Sequence, residues 1–183
     1  MKTKVYVLTF IIIGMSLGYI PHAISAELVN IAPQYGIASA DATWAERPVE
    51  NAIDGDYVSH WSAGSFGTLS NPHWWKVDLQ KNWQVSEIIV NLQLWTGSPY
   101  LGYTNDYNLY VSSDGSSWTL IGSGTIAEHT DPEAYSDTYI LSDQMPPIRY
   151  VKYEVVGGTH WADLGELEVK VIMSPACDFS IEP

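Results

Sequence analysis

The sequence predicts an all-β fold, a jelly-roll β-sandwich, and three observations lead to this prediction. Short runs of alternating apolar and polar residues recur along the chain, and each run is typical of a half-buried strand. Glycine, proline, asparagine and aspartate stand between these runs. No amphipathic helical stretch of useful length is present. Many short strands joined by turns favour two packed antiparallel sheets over an α/β fold.

The first predicted strands lie in the middle of the chain. Residues 75–79, 88–94 and 107–111 each alternate between apolar and polar side chains, so each is expected to bury one face. The Asp-Gly pair within 113–116 suits a hairpin turn with positive φ. The return strand of this hairpin is expected over 118–122.

Three more strands are predicted towards the C-terminus, over 135–141, 148–155 and 164–171. In the last of these, Leu167 and Val169 alternate with Glu166 and Glu168. The apolar residues are therefore expected to face the core, and the two glutamates to share the opposite face.

The chain begins with a segment typical of a secretory signal peptide. Lys2 and Lys4 precede an uncharged apolar run over 5–20, and the small residues that follow offer a cleavage site after Ala26. A membrane anchor is the alternative, but the run is shorter than the roughly 20 residues that a spanning helix needs. We expect residues 1–26 to be removed and the protein to be secreted and extracellular.

Composition limits the functions that the remaining chain can have. Residues 27–172 have the length of one ordinary domain. The formal net charge is −13, which argues against nucleic acids and anionic membranes as partners, because both require positive surface. Cys177 is the only cysteine, so no disulfide can form within the chain.

Most aromatic residues of the chain are Trp and Tyr, whose rings carry a polar group. The chain has eight Trp and twelve Tyr against three Phe. Trp and Tyr are favoured where a ring faces both apolar matter and water, which includes surfaces that stack on ligands. The alternative is that these rings simply fill a β core, and we expect both uses.

The loop 51–61 combines a tight turn with clustered oxygen donors. Gly55 permits a sharp backbone bend, Asp54 can aim its carboxylate across that bend, and Ser59 adds a hydroxyl. Calcium takes roughly six to eight oxygen ligands, many of them backbone carbonyls. The loop therefore predicts a calcium site; the alternative is an Asx-type turn that leads into a strand.

Five motifs occur in an order that is characteristic of one family. They are Asn-Ala-Ile-Asp-Gly-Asp at 51–56 with Ser59 and Trp61, Trp-Trp-Lys-Val-Asp-Leu at 74–79, the stretch from Tyr107 to Trp118, Arg-Tyr-Val-Lys-Tyr-Glu-Val at 149–155, and Gly-Glu-Leu-Glu-Val at 165–169. Together they resemble a discoidin domain, the coagulation factor V and VIII C-type domain of the galactose-binding-like superfamily. The resemblance covers about residues 28–172 and is closest to family 32 carbohydrate-binding modules. Animal C-type domains are usually closed by a disulfide that this chain lacks, which favours the microbial modules.

The resemblance implies a structural calcium ion and its ligands. Side-chain ligands would be Asp54, Ser59 and Glu166, and backbone carbonyls would come from Asn51, Asp56, Ser59 and Gly165. Glu168 is a competing carboxylate on the same face of the last strand. A solvated strand face is the alternative for both glutamates.

The resemblance also implies a non-catalytic, lectin-like function, with glycans bound by loops at one end of the sandwich. A pyranose has an apolar face and a rim of hydroxyls, so it needs an aromatic platform with polar neighbours. Candidate contacts are Trp95, Tyr100, Tyr103 and Asn105 before the Tyr107 strand, His160 and Trp161 within 157–163, Trp44 and Arg47 within 42–47, and His73 at the end of 70–73. Trp161 is the predicted stacking ring, and its alternative role is packing over the sandwich end. Galactose-binding relatives commonly place an Arg in the loop before the Tyr107 strand, and this chain has none there.

Catalysis is a second function class for such a chain. An enzyme could use Asp131 and Glu133, or a metal bound by His60, His73 and His160, but neither set has the spacing that hydrolysis or zinc catalysis needs. We therefore expect no intrinsic catalysis, although the chain could serve a larger secreted enzyme.

Protein or cell-surface adhesion without sugar specificity remains the alternative function, since some discoidin relatives bind collagen or phosphatidylserine. The acidic charge opposes binding to phosphatidylserine. Residues 173–183 are expected to be a linker or the truncated start of a further segment, which would connect the module to a neighbouring domain.

Overall fold

The structure is a computed structural model that describes residues 26–92, 103–127 and 136–173. The predicted leader up to residue 25 and the tail from residue 174 lie outside these ranges. So do the candidate contacts Trp95 and Tyr100, and the carboxylates Asp131 and Glu133.

Eleven strands are present within the described residues, with one short α-helix and one 3-10 helix. The strands are β1 Glu27–Asn30, β2 Ile37–Ala40, β3 Trp61–Ser62, β4 His73–Trp83, β5 Val85–Asn91, β6 Thr104–Ser112, β7 Thr119–Ala127, β8 Asp137–Ile140, β9 Ile148–Gly158, β10 Asp163–Leu164 and β11 Glu166–Met173. The α-helix α1 is Ala32–Tyr35, and the 3-10 helix is Val49–Ala52. No helix in the three described ranges is long and apolar enough to cross a membrane.

The strands form two large antiparallel sheets and one small one. The five-stranded sheet has the order β2-β4-β9-β6-β7, and the four-stranded sheet has the order β1-β11-β5-β8. Strands β10 and β3 pair as a separate two-stranded sheet. One buried cluster joins residues of both large sheets. This arrangement confirms the predicted all-β sandwich.

The alternating pattern is the reason that the sheets pack as they do. Trp75, Val77 and Leu79 of β4 are fully buried, whereas the intervening Lys76 and Asp78 are half-buried. Burying one aromatic and two aliphatic side chains stabilises the fold by roughly 1.5–3 kcal/mol per side chain relative to leaving them exposed. The same alternation recurs in β11, where Leu167, Val169 and Val171 are directed at the core.

The return strand of the hairpin differs from the prediction. It begins at Thr119 rather than Trp118 and continues to Ala127, and most of its residues are exposed because it forms the edge of its sheet. Gly122 is required by packing, since a Cβ there would lie 2.0 Å from the ring of Tyr139. Apolar and polar residues do not alternate regularly along this strand, because an edge strand buries little surface.

Strand register brings the candidate loops to one end of the sandwich. Ala40 pairs with Trp75, His73 pairs with Val155, and Asn105 pairs with Gly158. The residues that directly follow β2 and β9, and those that directly precede β4 and β6, therefore meet at this end. The hairpin turn after Ser112 lies at the opposite end of β6, about 25 Å away at strand rise.

Candidate functional site

The short β3–β10 sheet joins two groups of functional residues. Asp163 pairs with Ser62, and Leu164 pairs with Trp61. This pairing connects the loop 51–60 on one side to the residues around Trp161 and Glu166 on the other. The candidate ion site and the candidate ligand site are therefore built on one element.

Oxygen atoms of the loop 51–59 converge on the Ser59 hydroxyl. Ser59 Oγ lies 2.8 Å from Asp54 Oδ2, 2.9 Å from the Asp56 carbonyl and 3.3 Å from the Asn51 carbonyl. The bend at Gly55 has φ +82°, and the Asp56 amide donates to Asp54 Oδ1 at 2.8 Å. We call Asn51, Asp54, Asp56 and Ser59, together with Glu166, the oxygen cradle.

Glu166 completes the cradle from β11. Its side chain is 1% exposed, and Oε2 accepts a hydrogen bond from the Gly55 amide at 3.4 Å. Oε1 is buried and has no hydrogen-bond partner within the described residues. Burial raises the pKa of Glu166 to about 8; the Gly55 hydrogen bond opposes this shift, and the carboxylates of Asp54, Glu168 and Asp56 add to it. A buried carboxyl in these surroundings needs either a proton or a cation.

Glu168, the competing carboxylate, is already partnered. Its Oε1 accepts from the Tyr57 hydroxyl at 2.5 Å, and its Oε2 lies 3.2 Å from Lys170 Nζ. Of the two glutamates on this face, Glu166 is therefore the one with an oxygen available for an ion.

The donor set of the cradle fits a hard cation and not a zinc-like one. Within the described part of the chain, no group of three or more His, Cys, Asp or Glu side chains is arranged to hold a metal ion. His60, His73 and His160 therefore do not form such a group. The cradle instead offers carboxylate, hydroxyl and backbone carbonyl oxygens, which are calcium ligands. The carbonyls of Ser59 and Gly165 stay predictions, because no contact of these oxygens to the cradle is described.

Four rings from three loops form what we call the aromatic corner. Tyr103 and His160 have centroids 4.1 Å apart, His160 and Trp161 5.7 Å, and Trp161 and Trp44 5.5 Å. The Trp44 and Trp161 planes stand at 88°, so these two rings make a right-angled corner. Trp44 is 40% exposed and Tyr103 is 36% exposed, whereas Trp161 is half-buried between its neighbours.

Polar side chains lie directly beneath the corner. His160 Nδ1 lies 2.9 Å from Asp163 Oδ2, which orients the imidazole. Asp163 Oδ1, Arg47 Nε and His60 Nδ1 are buried without a hydrogen-bond partner in the described residues. Arg47 is half-buried, and its amide donates to the Trp44 carbonyl at 2.8 Å. The residue predicted as a ligand contact therefore lies at the same end of the molecule as the corner.

Two predicted contacts have interior positions. Asn105 is 1% exposed, and its amide donates to the Asp163 carbonyl at 2.8 Å. His73 is 8% exposed, and both of its ring nitrogens are engaged by protein groups. As the side chains stand, both residues support the loops. Asn105 Oδ1 has no hydrogen-bond partner within the described residues, but it is buried away from the surface.

The partners of His73 were missed by sequence reasoning. Nδ1 lies 2.8 Å from Asp41 Oδ2, and Nε2 lies 2.7 Å from Ser65 Oγ. The second Asp41 oxygen accepts from the Trp74 amide at 2.8 Å. Asp41 is 32 residues away in the chain, so only the β2–β4 register could have indicated this contact.

His60 gives a pH-dependent prediction. It is 5% exposed, and burial, reinforced by Arg47 and His160 and opposed by Asp163, lowers its pKa to about 4. Between pH 6.5 and 4 the unfolded chain therefore binds more protons at this residue, so stability is complete above pH 6.5 and falls with pH through this window. The loss reaches on the order of 3 kcal/mol.

Urea unfolding of wild type and His60→Gln across this window tests the prediction. The difference between the two proteins removes contributions from all other groups. We expect the wild type to lose stability relative to His60→Gln as pH falls, and parallel pH profiles would contradict the assignment.

Comparison with known proteins places the chain in a family. Residues 36–167 match the F5/8 type C domain family. No curated protein matches the chain at a significant level.

Solved structures share the fold at low sequence identity. The family 32 module of Clostridium perfringens NanJ, in complex with galactose, is 24% identical with a TM-score of 0.62, over 79% of this chain and 100% of its own. CpGH89CBM32-4 of Clostridium perfringens, in complex with GlcNAc-α-1,4-galactose, is 18% identical with a TM-score of 0.61, over 82% and 99%. Chitosan-binding module 1 of a Paenibacillus chitosanase/glucanase is 20% identical with a TM-score of 0.59, over 79% and 100%.

Proposed function

Because the chain belongs to the F5/8 type C domain family, we propose that it is a secreted, non-catalytic carbohydrate-binding module. The observation that carries the proposal is the aromatic corner, which places exposed rings beside polar groups at one end of the sandwich. Proteins of the same fold in complex with galactose and with GlcNAc-α-1,4-galactose support a glycan as the ligand.

The geometry of the corner suits one pyranose at its edge. The apolar face of the sugar stacks on the Trp161 indole, and the perpendicular Trp44 indole closes one side of the space. Arg47 supplies donors for the ring hydroxyls, and the His160 ring lies beside Trp161. Trp161 is the central ring, since it contacts both Trp44 and His160.

We propose that calcium occupies the oxygen cradle. Asp54, Ser59 and Glu166 would hold it through side chains, and Asn51, Asp56, Ser59 and Gly165 through backbone carbonyls. The ion neutralises the buried Glu166 carboxylate and ties the loop 51–59 to β11. Because β3 and β10 pair directly beside this loop, the ion also fixes the segment that carries Trp161.

Adhesion to a protein is a second candidate, favoured by one observation. Phe66 is 53% exposed and Leu69 is 85% exposed, and both lie in a loop at the same end as the aromatic corner. Exposed apolar side chains on neighbouring loop positions are typical of protein contact sites.

A glycan array probed with the purified protein, with and without calcium, separates the two candidates. The proposed function predicts binding to a defined set of glycans. Absence of any glycan signal from folded protein, together with binding to a protein partner, would favour adhesion instead. If the chain is part of a larger secreted enzyme, its role is to hold that neighbour on the glycan.

A further inference from the structure

Three side chains form one line of hydrogen bonds beside the aromatic corner, and we call them the serine relay. Asp41 Oδ2 lies 2.8 Å from His73 Nδ1, and His73 Nε2 lies 2.7 Å from Ser65 Oγ. Asp41 Oδ1 is held by the Trp74 amide at 2.8 Å. His73 is buried and Ser65 is exposed, so the relay runs from the sheet to solvent.

With a neutral His73 imidazole, the chemistry of the relay fixes the direction of each hydrogen bond. A carboxylate only accepts, so His73 Nδ1 carries the proton that it donates to Asp41. In the neutral imidazole the other nitrogen is then an acceptor, and Ser65 must donate its O–H inward to Nε2. The lone pairs of Ser65 Oγ are left as the polar groups available on the solvent side, and they can only accept.

The Ser65 backbone is held between the two tryptophans of the corner. Its carbonyl accepts from the Ala162 amide at 2.8 Å, and Ala162 directly follows Trp161. The preceding Gly64 has φ +71°, and a Cβ there would lie 3.3 Å from Trp44 Cβ. The loop therefore cannot move away from the corner without losing the Ala162 hydrogen bond.

We propose that Ser65 Oγ is a specificity-determining contact that accepts a hydrogen bond from one hydroxyl of the bound glycan. His73 and Asp41 are positioning residues, which hold the serine as an acceptor. This inference rests on the proposed function. An acceptor at Ser65 selects glycans that have a hydroxyl donor at one ring position. It rejects a methyl ether at that position, because an ether oxygen can only accept.

Methyl glycosides of galactose, N-acetylglucosamine and glucosamine are the probes, with affinity measured by NMR titration. The tightest of the three is then compared with its monodeoxy and mono-O-methyl derivatives. In the wild type, deoxygenation and O-methylation at one and the same position are each expected to weaken binding roughly threefold to tenfold. Ser65→Ala is expected to lower the affinity for the parent glycoside by a similar factor. The variant should no longer discriminate between the parent and its derivatives at that position, and discrimination at the other positions should stay unchanged.

Asp41→Asn separates positioning from simple structural support. The amide oxygen can still accept from the Trp74 amide, while the amide N–H donates to His73 Nδ1 and moves the ring proton to Nε2. Ser65 then receives a hydrogen bond from the ring, and its own O–H is released to donate outward. Binding of the O-methyl derivative at the selected position is expected to recover in this variant. A structural role alone would weaken all probes equally.

Three outcomes would overturn the inference, and they are distinguishable. Unchanged binding and discrimination in Ser65→Ala, with binding lost in Trp161→Ala, overturns the role of Ser65 and leaves the proposed function standing. Wild-type protein that binds none of the three glycosides counts against the proposed function and this inference together. Covalent labelling of Ser65 by a fluorophosphonate would show that the relay activates a nucleophile, and would overturn its role as a fixed acceptor.

Discussion

Calcium added to the metal-free protein at pH 8 is expected to raise the free energy of unfolding by on the order of 4 kcal/mol, when the ion is at about a thousand times its dissociation constant. The physical reason is Glu166, whose buried Oε1 has no partner in the described residues. At this pH, close to the Glu166 pKa of about 8, about half of the carboxyls are ionised in the metal-free protein, and a cation balances the buried charge. Urea unfolding in excess calcium and in chelator measures the difference.

The pH dependence of the metal-free protein follows from the same group. The Glu166 pKa is about 8 in the fold against its usual 4.5, so between these values the folded chain binds more protons than the unfolded chain. Stability is therefore complete below pH 4.5 and falls as pH rises to 8, by up to on the order of 5 kcal/mol. With calcium bound, the ion replaces the proton and this loss is expected to disappear.

A matched pair of variants locates the effect. Glu166→Gln keeps the shape of the side chain without the charge, and we expect it to lose both the calcium response and the decline in stability at high pH. Glu168→Gln is the control, because that carboxylate is already bonded to Tyr57 and Lys170 and should leave the calcium response intact. A wild-type melting temperature that chelation leaves unchanged would exclude an ion in the cradle.

Replacing Trp161 by alanine is expected to weaken glycan binding by at least about thirtyfold, which corresponds to roughly 2 kcal/mol. The variant removes the ring that contacts both Trp44 and His160, so the stacking surface and the right-angled corner are lost together. Since Trp161 is half-buried at the end of the sandwich, the variant is expected to remain folded. Far-UV circular dichroism and thermal melting check this condition.

Trp118→Ala is the control for this prediction. Trp118 is also half-buried, and it precedes β7 at the opposite end of the five-stranded sheet, where its ring lies 6.4 Å from that of Tyr150. Its removal should leave glycan affinity unchanged. Equal losses in both variants would mean that the aromatic corner is not the binding surface.

Alternation of apolar and polar residues was sufficient to predict the sandwich, because burial of one strand face imposes a period of two on the sequence. Trp75, Val77 and Leu79 are buried as expected, and the family read from the five motifs is confirmed by the match over 36–167. Strands β1, β2, β3 and β10 were not predicted. They span four residues or fewer, too few for alternation to be distinguished from chance.

The candidate site could be predicted only in part, because side-chain partners depend on contacts between distant residues. Asn105 and His73 lie at the expected end of the molecule, but both are buried. The Asn105 amide nitrogen donates to Asp163, and the two His73 ring nitrogens are bonded to Asp41 and Ser65. Nothing local in the sequence distinguishes a polar residue that faces a ligand from one that supports a loop. Spacing along the chain predicted which loops meet, and tertiary contacts decided which atoms remain available.

The most direct test of the proposed binding surface is a glycan array probed with wild type, Trp161→Ala and Trp118→Ala in saturating calcium. The account predicts the same glycan signals for wild type and Trp118→Ala, and their loss in folded Trp161→Ala. Undiminished glycan binding by folded Trp161→Ala would contradict it.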